Sequence, residues 1–127
     1  MKQIISTQNA PKAVGPYSQA VESNGVLYIS GQLPIVPEIG KFPEGGVKEQ
    51  TRQCLENVRA ILAEANYAVS DVVKSTVLLA DMNDFADMNE VYASFYAAPY
   101  PARIAFQVGK LPMGALVEID TIAVKHK

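Results

Sequence analysis

Apolar and polar positions change period several times along the chain. Tyr17–Glu22 and Val26–Gly31 are short strand-like runs parted by Ser23-Asn24-Gly25. An Asn-Gly pair between such runs predicts a hairpin, because both residues tolerate the positive φ of a tight turn. From Gln32 to Gly46 the pattern dissolves into Pro34, Pro37, Pro43, Gly40, Gly45 and Gly46, which predicts a surface loop. From Val47 the period becomes helical. Val47, Thr51, Cys54, Leu55, Val58, Ile61, Leu62 and Ala65 fall on one stripe, while Lys48, Glu49, Arg52, Glu56, Arg59 and Glu64 fall outside it. Asn66 follows where a left-handed residue ends a helix well. Val72–Ala80 is dense in β-branched residues and reads as a covered strand. Asp81 or Asn83 can cap a second helix carrying Phe85, Met88, Tyr92 and Phe95, which Pro99 and Pro101 end. Arg103–Val108 and Leu116–Val124 flank a turn-like Gly109–Gly114 and predict a final pair of strands.

The order β-β-α-β-α-β-β predicts one α+β domain over residues 1–127, with two helices on one face of a sheet. That leaves a face uncovered. The late strands carry apolar side chains on both phases, Val77 and Leu79 against Leu78 and Ala80, for example. Burial of the second face by copies of the same chain resolves this, so a closed homo-oligomer is expected.

Composition narrows the chemistry. Eleven Lys and Arg against thirteen Asp and Glu give a net charge of −2, which disfavours nucleic acid as a partner. Cys54 is the only cysteine, so no internal disulfide forms. His126 is the only histidine, so a Ser/His/Asp triad, a Cys/His pair or a His/Cys zinc site would need the tail. The N-terminal residues lack the apolar core of a secretion signal, and no stretch suits a membrane span; a cytoplasmic protein is expected.

Arg103 is the one basic residue between Lys74 and Lys110 and stands in apolar company. A guanidinium cannot shed its charge, so when buried it needs an acidic partner. Either Glu118 or Asp120 provides it, or the side chain snorkels to solvent, or the fork is kept for a ligand carboxylate. Glu118 lies among Leu116, Val117 and Ile119, as a cross-strand partner or as a carboxylate tuned for proton transfer. Tyr17 follows Gly15-Pro16 and either packs or presents its hydroxyl. Gly31, after Ser30, ends a strand or lets a ligand approach the backbone. Cys54 belongs to the helical stripe and reads as core.

Taken in order, these segments resemble the RidA/YjgF family, the reactive intermediate deaminases. The resemblance runs through Gly15-Pro16-Tyr17-Ser18-Gln19-Ala20, Ser30-Gly31-Gln32-Leu33-Pro34, Gln50–Asn57, Asp71–Lys74, Met88–Tyr92, Pro101-Ala102-Arg103 and Val117-Glu118-Ile119. It implies a chorismate-mutase-like fold in a homotrimer with clefts between subunits. The implied activity is hydrolysis of 2-imino acids such as 2-iminobutanoate and 2-iminopropanoate, products of pyridoxal-phosphate dehydratases, to 2-oxo acids and ammonia. No cofactor or metal is implied. By the same resemblance Arg103 grips the substrate carboxylate and Glu118 orients the attacking water. Tyr17, Ser30, Gly31 and Asn89 line the cleft, and the backbone at Ala105 faces the ligand. Ala105 stands where many bacterial members have cysteine. Ile104 is bulkier than usual and is expected to repack the helix-facing core. Ile104, Phe106 and Met113 are candidates for shaping the pocket. The competing readings are a non-catalytic trimeric binder of small carboxylates and, less favoured, an endoribonuclease or translation inhibitor.

Overall fold

The computed structural model describes residues 1–125; His126, the lone histidine, lies outside them. Six strands and two helices follow one another as β1 (Gln3–Ile5), β2 (Ala20–Ser23), β3 (Val26–Gln32), α1 (Val47–Glu64), β4 (Val72–Leu79), α2 (Phe85–Phe95), β5 (Ala102–Gln107) and β6 (Val117–Val124). The architecture is α+β, with one strand more than the sequence predicts. β1 is three residues long, too short to show alternation, and is held by pairing with β2.

Where local chemistry decides, expectation and structure agree. Asn24 and Gly25 have φ of 53° and 77°, closing the β2–β3 hairpin between Ser23 and Val26. β2 begins only at Ala20, so Tyr17 precedes the strand. Asn66 takes φ 63° after α1, and the N–H groups of Asn66 and Tyr67 donate to the carbonyls of Ala63 and Leu62, a left-handed helix stop. Asp81 caps a short turn at Met82–Asp84 by accepting from the Asn83 N–H at 2.9 Å, and that turn leads into α2. The loop between β3 and α1 is pinned by Asn57, whose amide donates to the carbonyls of Leu33 and Ile35.

Sheet order is β1-β2-β3-β6-β4-β5. β6 lies antiparallel between β3 and β4, while β5 runs parallel to β4 at the edge. The last two strands therefore do not pair with each other, although the sequence order suggests it. This correction decides which side chains share a face. Arg103 aligns with Ser75 and Thr121, both buried toward the helices, whereas Phe106 aligns with Leu78 and Glu118. The core between sheet and helices gathers Leu27, Val77, Leu79, Val117 and Ile119 with Cys54, Leu55, Val58, Ile61, Leu62 and Met88.

The opposite face is open and apolar. Ile4, Tyr28, Ile104 and Phe106 are 53, 50, 48 and 46% exposed there. Ile104 thus points away from the helices, because Arg103 and Ala105 hold the helix-facing phase of β5. The expectation that Ile104 repacks the helix-facing core is overturned by that register.

Candidate functional site

Arg103 leaves the edge strand β5 on the helix side and meets α2. Its Nη1 donates to Asn89 Oδ1 at 2.7 Å, and its guanidinium carbon lies 4.8 Å from the Tyr92 ring centre. Among the described residues the ion pairs join Lys48 to Glu90 and Arg59 to Glu56; neither Glu118 nor Asp120 engages Arg103. Asp120 instead accepts from the Thr76 N–H at 2.9 Å. The arginine borders a recess of about 430 Å³ lined by Asn89, Tyr92, Ala93, Tyr100, Pro101 and Arg103. A charged fork with spare donors beside an apolar recess suits a small organic acid.

Glu118 occupies the other face of the same sheet. Its carboxylate lies against Gly31, so closely that a Cβ at Gly31 would overlap it. The close approach that glycine permits here is therefore that of the chain's own Glu118. Half burial, and secondarily the charge of Asp120, push the Glu118 carboxyl above its ordinary pKa, toward usefulness in proton transfer. If Glu118 serves as a base, Gly31→Ala, by displacing that carboxylate, is expected to lower turnover at least about tenfold, since a general base acts only within hydrogen-bond reach. Near-wild-type heat unfolding with lost activity in a purified variant would check it.

Tyr17 and Gly31 border a common small hollow together with Pro11, Lys12 and Leu33. The Tyr17 ring is half exposed, and its hydroxyl accepts a long bond from the Val14 N–H at 3.4 Å. The Ser30 hydroxyl is committed to the Ser18 carbonyl at 2.6 Å, which ties β3 to the Tyr17 segment. Ala105 packs partly into the core on the Arg103 face, while Met113 is exposed in the turn before β6. Cys54 is fully buried and its thiol is pushed well up by burial, so it is core.

The predicted residues thus fall into two groups within one chain. Arg103, Asn89 and Ala105 stand on the helix side; Glu118, Gly31, Ser30 and Tyr17 stand toward the other. Sequence reading missed the residues that shape the recess around Arg103, Tyr92 and Tyr100 above all. The signal for Tyr92 was available, since Phe85, Asn89 and Tyr92 recur at spacings of four and three. Among the described residues no group of three or more His, Cys, Asp or Glu side chains is arranged to hold a metal, and no helix is long and apolar enough to cross a membrane.

Fold and site together define a class: a small α+β protein whose edge-strand arginine is held by uncharged groups beside a recess fit for an organic acid. The family described as Endoribonuclease L-PSP matches residues 7–125. A 2-iminobutanoate/2-iminopropanoate deaminase of Bos taurus is 50% identical over 125 residues, covering 98% of this chain and 91% of that protein. A RutC family protein of Pyrococcus horikoshii is 54% identical over 126 residues, covering 99% of this chain and all of the other. The solved structure of Escherichia coli TdcF with bound serine superposes with a TM-score of 0.93 at 45% identity, covering 98% of this chain and 99% of that one. The chain belongs to this family, the YjgF/RidA family.

Proposed function

We propose that the protein hydrolyses 2-imino acids to 2-oxo acids and ammonia. The observation that carries this reading is an arginine at the rim of a recess with no acidic partner among the described residues. The deaminase name of a relative at 50% identity supports it. Two parallel N–H bonds from Arg103 hold the substrate carboxylate and fix the imine carbon. Glu118 takes a proton from water as the new C–O bond forms and the C=N electrons move to nitrogen. The same carboxyl returns that proton to the nitrogen of the resulting carbinolamine. It then takes the proton of the new hydroxyl as the C=O bond forms and the C–N bond breaks. The departing ammonia carries that proton away as ammonium, leaving the 2-oxo acid. An iminium ion is already electrophilic, so holding and aiming supply most of what is needed. The chemistry asks for no cofactor or metal.

Arg103 and Glu118 lie on opposite faces of one sheet, so a single chain does not bring them together. We infer that the protein works as a homotrimer in which the arginine half of one copy faces Glu118, Gly31, Ser30 and Tyr17 of the next. The open apolar face around Ile104, Phe106 and Tyr28 supports such burial. Phe106→Glu would put a second carboxylate on the sheet face that Glu118 shares, across β4 from it and in that seam, where an unpaired charge is costly. Sedimentation is expected to find the wild type at three times 13.7 kDa and the variant at one. A wild type sedimenting as a single chain would contradict the inference.

The activity is tested by following 2-oxo acid formation from threonine by a pyridoxal-phosphate dehydratase, with semicarbazide competing for the imine. The protein is expected to restore 2-oxobutanoate. No rate above the uncatalysed one, with the oxo acid still bound, favours a non-catalytic binder of small carboxylates instead. A ribonuclease reading, which the family's description carries, is opposed by the net charge of −2. A cytoplasmic setting accords with a single, buried cysteine.

A further inference from the structure

Helix α2 meets the edge strand at Arg103. Phe85, Asn89 and Tyr92 form one stripe of the helix, and all three touch the Arg103 guanidinium. Asn89 accepts one N–H bond at 2.7 Å, while the ring centres of Tyr92 and Phe85 lie 4.8 and 5.5 Å from the guanidinium carbon. None of the three carries charge. A guanidinium paired with a carboxylate would meet a substrate already neutralised. One held by π faces and a neutral amide keeps its charge and most of its five N–H donors.

Tyr92 is well anchored for that task. It is only 4% exposed, and its ring centre lies 4.9 Å from that of Tyr96, which meets Phe95 edge-on at 4.8 Å. Its hydroxyl is buried with no hydrogen bond of good geometry, so the ring face is what the arginine uses. We propose that Tyr92, assisted by Phe85, is a positioning residue: an uncharged aromatic cradle that aims the Arg103 fork at the substrate carboxylate without neutralising it. The proposal rests on the reading of Arg103 as the carboxylate's partner.

Calorimetric titration with 2-oxobutanoate and its neutral amide separates this role from a merely structural one. The wild type is expected to prefer the acid, and Tyr92→Phe is expected to keep that preference. Tyr92→Leu should reduce the acid-over-amide ratio about tenfold and Phe85→Leu about threefold, the range a partly desolvated cation–π contact supports. Any loss of affinity that the amide shares with the acid cancels in that ratio. A structural role alone would lower the unfolding midpoint and the binding-competent fraction but leave the ratio unchanged. A folded Tyr92→Leu protein with the wild-type ratio overturns the cradle; should that variant fail to fold, an unchanged ratio in Phe85→Leu overturns it. A wild type without preference for the acid overturns the reading of Arg103 and the cradle with it.

Discussion

Arg103→Ala is expected to lower kcat/KM for 2-imino acids by about 10²- to 10⁴-fold, the loss of two charge-assisted hydrogen bonds worth about 1.5–3 kcal/mol each. The dehydratase-coupled assay checks it, with circular dichroism and sedimentation as controls for fold and assembly. The fold should survive. Arg103 sits on an edge strand, is not fully buried, and donates a side-chain hydrogen bond to Asn89. Arg103→Lys should recover only part of the loss, because an ammonium is a point charge and cannot present two parallel donors. An alanine variant with full activity would return Arg103 to a structural role and leave the recess without a purpose.

Glu118→Gln carries the second large effect. If Glu118 relays the proton as proposed, its removal is expected to lower kcat by about 10²- to 10⁴-fold with a smaller change in KM, since Arg103, in the same proposal, still holds the carboxylate. The wild-type pH profile should show the same group. Burial, with Asp120 adding to it, raises the Glu118 pKa. A base must be ionised to act, so activity should climb with pH through a midpoint above the ordinary 4.5 of a glutamate, and Glu118→Gln should abolish that limb.

The stability effect has the opposite sign. A carboxyl whose pKa is higher in the folded chain binds its proton more tightly there than in the unfolded chain. Its stabilising contribution is therefore present below the unfolded pKa and fades as pH rises through the folded one. At neutral pH the ionised, half-buried Glu118 weakens the fold, and Glu118→Gln should unfold no sooner than wild type on heating. Lost turnover without lost stability marks a group kept for chemistry.

Both predictions depend on features of unequal visibility in the sequence. The hairpin at Asn24-Gly25 and the α1 stop at Asn66 were legible because a local backbone requirement selects the residue. The apolar stripe of α1 was legible because helical period is a local property. Gln50 and Asn57, also buried on that helix, were not: they are there for distant carbonyl and N–H groups, Asn57 holding the β3–α1 loop and Gln50 accepting from the Leu116 N–H. Pairing between strands was the least legible part. β5 and β6 are neighbours in sequence, yet β5 runs parallel beside β4 and β6 inserts between β3 and β4. Alternation within a strand cannot reveal which strand lies next to it, and a wrong neighbour misassigns a face. For that reason Ile104 was expected on the helix side, and the sequence alone does not separate Arg103 and Glu118 onto opposite faces.

The candidate site shows the same division. Arg103 and Glu118 stood out as charges among apolar neighbours. Tyr92 did not, since a tyrosine on a helical stripe reads as core, and it is core as well as the surface on which the guanidinium rests. Gly31 was legible as a place of close approach, but the approaching group is Glu118 from a strand 80 and more positions downstream.

A crystal structure grown with 2-oxobutanoate addresses the central claim without passing through turnover. The acid's carboxylate should lie in the recess beside Tyr92 and Tyr100, with two oxygens at about 2.7–2.9 Å from two nitrogens of Arg103. Its keto carbon should face Glu118 of the partner subunit across the seam. An acid bound elsewhere, or an Arg103 that has swung onto a carboxylate of its own chain, would contradict the account.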